Sequence, residues 1–173
     1  MRCCFISPKT TPMKIAAYSI PLSDNRVRCV LCPHHCELAN TMHGLCLTRK
    51  NENGTLVSLN YARPITYAID PIEKKPLYHF YPGSSIFSTG PNGCNLKCSF
   101  CQNAEISQNL ADVPEVPVDS IVQAAIQSNG IGIAYTYSEP YIWFETIMEI
   151  APQMRSRGLK NVMVTKRKLA GCC

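Results

Sequence analysis

The run Gly93-Cys94-Asn95-Leu96-Lys97-Cys98-Ser99-Phe100-Cys101-Gln102-Asn103 constrains this chain more than any other stretch. Its three cysteines stand at C-x3-C-x2-C spacing. A loop this short folds back on itself, so three thiolates can meet one soft metal centre. A closed tetrahedral zinc site wants a fourth ligand. A cubane iron–sulfur cluster held by three thiolates instead leaves one iron open for a substrate or cofactor. The bland alternative is an incidental cluster of thiols in a cysteine-rich chain, and the rest of the sequence argues against it.

The chain has eleven cysteines, an odd number. A secreted disulfide framework expects an even set behind a targeting segment. The first residues lack the apolar core of a signal peptide, and no run approaches eighteen apolar residues. A cytoplasmic, reducing setting with thiolate–metal chemistry and no membrane partner is the expectation. The net charge of +5 is spread along the chain, so nucleic acid is not an expected partner. With 173 residues, 46% of them hydrophobic, the chain can bury one sizeable core.

A second cysteine group precedes the first. It reads Cys29-x2-Cys32-Pro-His-His-Cys36, and Cys46 follows after nine residues. Four soft ligands so close together suit a closed structural metal site. His34 and His35 are reserve ligands, and Gly44 can take the turn back to Cys46. Thiolates serve zinc and a second iron–sulfur cluster alike, so both stay open. A knuckle with this little apolar mass needs its metal to fold. Free cysteines in a small subdomain are the alternative.

In order, the chain divides into an arm over 1–13, a cysteine-rich module over 14–60, a linker over 61–84, a core over 85–165 and a tail over 166–173. Cys3, Cys4, Cys172 and Cys173 have no assigned role. Pro64, Pro71, Pro76 and Pro82 give the linker an irregular reading. Residues 85–89 read as a strand, and the cysteine loop sits at its C-terminal end. A helix opens at Val118-Asp119-Ser120-Ile121, with Asp119 or Ser120 as cap and Asn129-Gly130 as stop. The apolar run 131–137 reads as a buried parallel strand. Ser138-Glu139-Pro140 lies at its tip, where a carboxylate can pair with a base, cap a helix or hold an ammonium. A second helix spans 141–157, and Pro152 is expected to end or kink it near Ala151. A third strand covers 161–165.

The C-x3-C-x2-C loop, with Phe100 before its last cysteine, resembles that of radical S-adenosylmethionine enzymes. The wider run, from Asp70-Pro71-Ile72-Glu73-Lys74-Lys75-Pro76-Leu77-Tyr78-His79 through Gly93 to Ser107, resembles one branch of that superfamily. This is the AmmeMemoRadiSam-system radical SAM protein, a relative of pyruvate formate-lyase activating enzymes. The resemblance spans roughly residues 15–165. It implies an α/β fold: the N-terminal part of a partial (β/α)6 TIM-like barrel, preceded by the small cysteine-rich module. Cys94, Cys98 and Cys101 would hold a 4Fe-4S cluster whose fourth iron takes S-adenosylmethionine. Glu139 would contact the cofactor's amino group. Phe100 would pack near adenine or in the core, and Asn103 would orient the loop. Ser138 departs from the more common variants. His79 and Tyr81 would line the cofactor site or pack.

The implied partners are an electron donor of the flavodoxin or ferredoxin kind and a protein substrate. After Thr165 the family pattern continues with Asn-Gly, whereas this chain reads Lys166-Arg-Lys-Leu-Ala-Gly-Cys-Cys173. A fragment of a longer protein, starting biologically at Met13, is therefore expected. Two rival readings accompany the enzyme: a truncated iron–sulfur protein without turnover, and a purely structural zinc protein.

Overall fold

The computed structural model describes residues 13–166. Residues 1–12 of the expected arm over 1–13, the tail beyond Lys166, and Cys3, Cys4, Cys172 and Cys173 lie outside the described residues.

Short strands and tight turns build the cysteine-rich part. Strands β1 (Lys14–Ile15), β5 (Arg49–Glu52) and β6 (Thr55–Ser58) form one antiparallel sheet in the order β1-β6-β5. The β5–β6 turn is Asn53-Gly54, with φ of 52° and 84°. Asn-Gly is the pair that a two-residue hairpin turn with positive φ at both positions favours. Strands β2 (Ser19–Pro21), β3 (Val27–Cys29) and β4 (Glu37–Leu38) form a second antiparallel sheet. The Asn51 side chain donates to the carbonyls of Asn25 and Leu38 and accepts from the Gly54 amide, which ties the two sheets together. Ala16, Val27, Cys29, Leu38 and Leu56 form the small core between them.

The main sheet has four strands in the order β10-β9-β8-β7. They are β7 (Pro64–Pro71), β8 (Ser85–Pro91), β9 (Gly132–Tyr135) and β10 (Lys160–Met163). Pairs β8–β9 and β9–β10 are parallel, and β7 runs antiparallel to β8. All four residues of the central strand β9 are buried, as a strand covered on both faces requires. On one face Ile133, Tyr135 and Phe87 pack against helices α2 (Val118–Gln127) and α3 (Phe144–Ser156) through Ile121, Val122, Ile147 and Ile150. On the other, Ile86, Ala134 and Val162 pack under Ile72 and Leu77. A four-residue helix, α1 (Ala104–Ser107), follows the cysteine loop.

This arrangement corrects the expected partial TIM-like barrel. The described chain is mostly small antiparallel and mixed sheets with few helices, and no sheet closes. Two features accompany the open sheet. Antiparallel β7 occupies the edge of β8 that a further barrel strand would need. The face that a barrel would turn to its interior is instead sealed by the 72–77 segment.

Local corrections follow from the same physics. The expected linker over 61–84 contains β7, an eight-residue strand. Pro64 and Pro71 stand at its two ends, where a missing N–H does not break the ladder. Neither Asp119 nor Ser120 caps α2, whose N-cap position is Pro117 without a side-chain bond. Pro152 lies inside α3 and does not end it, since the helix runs on to Ser156. Pro152 is exposed, so water can satisfy the carbonyl that loses its helical donor. The expected second helix also begins differently, with a 3-10 turn over Pro140–Trp143. Among the described residues, no helix is long and apolar enough to cross a membrane.

Candidate metal centre and cofactor cavity

The cysteine loop leaves the C-terminal end of β8, and its geometry needs glycine at two points. A Cβ on Gly90 would lie 1.9 Å from the Thr136 carbonyl oxygen, so β8 and the end of β9 meet backbone to backbone. Gly93 has φ of +83°, and a Cβ there would lie 2.5 Å from the Cys46 carbonyl oxygen. Asn92, buried between them, organises the return of the chain. Its amide nitrogen donates to the carbonyls of Ile106 (2.6 Å) and Asn109 (2.9 Å), and its oxygen accepts from the Ala111 amide (2.6 Å). Gln108 donates to the Leu96 carbonyl at 3.1 Å. The loop is thus held closed before any metal is considered.

Cys94, Cys98 and Cys101 line one cavity of about 360 Å³. Phe100, Asn103, Ser138 and Glu139 line the same cavity, together with Gln108, Tyr137, Thr165 and Lys166. It opens where the β8 and β9 loops meet the end of β10. In open α/β sheets, ligands bind outside the carboxyl ends of the parallel strands. Cys94 is buried and the other two thiols are half-buried. Burial pushes the Cys94 thiol above its ordinary range. Polar groups surround the sulfurs: the Leu96 amide donates to Cys94 Sγ at 3.4 Å, Ser107 Oγ lies 3.3 Å from Cys101 Sγ, and Lys166 Nζ lies 3.7 Å from Cys98 Sγ.

The remaining predicted cofactor residues have distinct surroundings. Glu139 precedes the 3-10 turn but makes no side-chain cap there. Its carboxylate reaches across the cavity mouth and accepts from Thr165 Oγ1 and, at 3.1 Å, from the Lys166 amide. Phe100 is 75% exposed, which excludes a core role, and Lys166 Nζ sits 4.3 Å from its ring centroid. Asn103 donates to the Tyr137 carbonyl at 2.9 Å. The Ser138 hydroxyl donates to the Pro91 carbonyl at 2.7 Å, so its proton joins two chain segments. His79 and Tyr81 are exposed and do not line the cavity.

Sequence reasoning passed over a polar network behind the cavity wall. Asp70 accepts from Lys75 (2.7 Å), Lys74 (2.8 Å) and the Tyr137 hydroxyl (3.1 Å). Asp70 and Lys75 are both buried. Burial pushes the Asp70 carboxyl up, but the hydrogen bonds from Lys74 and Lys75 outweigh it and hold the group well below the carboxylate range. Burial, with the bond to Asp70, pushes Tyr137 up to about 12. Tyr137 has φ of +71°, an uncommon conformation for a bulky residue. The Lys74-Lys75 pair was visible in the sequence, but nothing local to it points to Tyr137.

The second cysteine group also converges. Cys29, Cys32, Cys36 and Cys46 line a separate cavity of about 10 Å³, with His34, Arg49 and Asn95 in its wall. Burial pushes the Cys29 thiol up to about 11. His34 Nε2 lies 2.8 Å from the Asn95 carbonyl oxygen, so this reserve ligand is engaged with the neighbouring loop. His35 is exposed and outside the cavity wall. Among the described residues, no three His, Cys, Asp or Glu side chains stand at the spacing of ligands on one bare ion.

At the larger cavity the donor set is three thiols of one loop. The three thiols line one cavity of about 360 Å³, and a polar group lies near each sulfur. A cubane takes each thiolate on a different iron, and hydrogen bonds to its sulfurs tune it.

No family model matches the chain. It is similar to an uncharacterized protein of Methanocaldococcus jannaschii, at 43% identity over 156 residues. That alignment takes in 88% of this chain and 47% of the archaeal protein, so the chain spans about half the length of this relative. No solved structure matches.

Proposed function

We propose that the larger cavity is the cofactor centre of a radical S-adenosylmethionine enzyme. One observation carries this reading: the three cysteines of the 94–101 loop and Glu139, from two different loops, line a single cavity. Cys94, Cys98 and Cys101 would hold a 4Fe-4S cluster. When bound and reduced by a small one-electron donor of the flavodoxin or ferredoxin kind, such a cluster would supply the electron for reductive cleavage of S-adenosylmethionine, and with it the means of hydrogen abstraction from a substrate.

The chain's own residues would bind and orient. Glu139 offers a buried carboxylate to the cofactor's ammonium, exchanging for it its bonds from Thr165 and Lys166. Phe100 offers an exposed aromatic face to adenine. Asn103 keeps the cysteine loop against the Tyr137–Glu139 turn. A protein substrate, as for the activating enzymes the sequence resembles, is a family-level analogy with no assigned contact.

The test is anaerobic reconstitution with iron and sulfide, followed by low-temperature paramagnetic resonance of the reduced protein with and without S-adenosylmethionine. The expected result is a cluster signal that changes shape when the cofactor is added and is absent in Cys98→Ala. A signal indifferent to the cofactor would reject an open iron. Cluster and cofactor binding without 5'-deoxyadenosine release would instead favour a binding-competent but inactive chain.

A further inference from the structure

We propose that Cys29, Cys32, Cys36 and Cys46 hold one tetrahedral zinc ion rather than a second iron–sulfur cluster, and that the knuckle closed by this ion is the seat of the 94–101 loop. The two cysteine cavities differ in size by more than an order of magnitude: about 10 Å³ against about 360 Å³. The smaller has room for a single ion and none for four irons with four sulfides. Four thiolates fill a tetrahedral shell and leave no open position, which is the pattern of a structural site.

Two unpartnered groups in the wall point to the charge of the occupant. Arg49 is 1% exposed, and its buried Nε has no hydrogen-bond partner among the described residues. The rest of its guanidinium is bound by Glu145 and the Ile142 carbonyl. Asn95 is also buried, and its Oδ1 has no partner among the described residues. Four thiolates around a divalent ion carry a net double negative charge. Their sulfurs would accept from Arg49 Nε–H and, with the amide turned over, from the Asn95 NH2. A neutral set of thiols answers neither group as well. Among the described residues the four sulfurs do not stand at the spacing of ligands on one ion, so ion uptake would have to adjust their positions.

The same residues reach the neighbouring loop. Asn95 lines the smaller cavity, and its chain neighbours Cys94 and Leu96 line the larger one. The Cys46 carbonyl and the Thr48 methyl group form the surface on which Gly93 rests, and His34 meets the Asn95 carbonyl. Losing the ion would free Cys46 and leave the loop without its floor.

The experiment uses the full chain with Cys94, Cys98 and Cys101 all replaced by alanine, so its outcome does not depend on the cofactor reading. Purified in air, it should retain one zinc per chain and no acid-labile sulfide. Cobalt exchange should give the visible bands of a tetrahedral thiolate site. Cys32→Ser in the same background should lower bound zinc at least tenfold. Iron with sulfide in place of zinc, or no metal at all, would overturn the assignment. For the seat, hydrogen exchange is measured on the otherwise unaltered chain before and after chelator treatment. Amides of 93–96 should exchange at least tenfold faster after zinc removal, while those of α2 stay protected. Should chelation unfold the chain, Cys46→His, which retains a zinc-binding side chain, replaces it: slower exchange than in Cys46→Ala supports the seat. Exchange at 93–96 that ignores the metal overturns it.

Discussion

The side-chain amide of Asn103 donates to the main-chain carbonyl of Tyr137 at 2.9 Å and so fastens the cysteine loop to the turn that carries Glu139. Neither segment is regular structure, and each depends on the other for its place. Asn103→Ala leaves that carbonyl short of a donor and should lower stability by about 1 kcal/mol. The larger effect should fall on cofactor affinity, measured by calorimetry on reconstituted protein. Asn103→Asp, which keeps the size but loses the NH2 donor, should behave like the alanine variant.

Gly93 combines a left-handed backbone with contact against the Cys46 carbonyl. Gly93→Ala adds a conformational penalty of about 1 kcal/mol to a steric clash that only a backbone shift relieves. The expected outcome is a lowered denaturant midpoint together with fewer irons per chain after reconstitution. A variant that binds iron normally would show that the loop need not rest there.

The Asp70 network separates two adjacent lysines. The Lys75 side chain is 3% exposed and that of Lys74 is 64% exposed. Removing the buried partner leaves Asp70 only the exposed Lys74 and the Tyr137 hydroxyl, so Lys75→Met should destabilise by at most roughly 3–5 kcal/mol. Lys74→Met removes an exposed ion pair and should change stability by about 0–1 kcal/mol. Urea titration of the two variants checks the contrast.

The same carboxylate sets a pH dependence. Its folded pKa is depressed, so the unfolded chain takes up the proton first as pH falls. The stabilisation is complete above the unfolded value of about 3.9 and is lost progressively below it. Acid unfolding of the parent chain should therefore steepen below about pH 4. In Lys75→Met, where the main buried donor is gone, the acid limb should be shallower.

Pro152 interrupts the hydrogen bonding of α3 on its exposed side. Pro152→Ala restores one helical donor and should raise stability by about 1 kcal/mol or more. Thermal unfolding with unchanged cofactor binding is the check.

Parts of this architecture were legible in the sequence because they are local. The apolar run ending at Tyr137 and the periodic Ile121, Val122 and Ala125 face give β9 and α2 directly. The cysteine spacings mark two separate cavities, and Glu139 falls at a strand tip as its position suggests. Sheet closure is not local, because it depends on which strand takes the free edge of β8. There the resemblance implied a barrel that these residues do not build. Strand β7 was hidden by prolines that turn out to bracket it. Asp70, Lys75 and Tyr137 meet only through the tertiary fold, and so do Arg49 and Glu145. No periodicity or spacing announces such pairs.

The backbone contact at Gly90 has a consequence for protein engineering. Because the Thr136 carbonyl occupies the space any side chain would need, a randomised library of the cavity walls should return only glycine there. Variation should accumulate instead at Phe100, whose ring faces solvent. Attempts to retune what enters this cavity therefore have a usable side and a forbidden one, and the forbidden side is set by main-chain atoms that no recoding can move.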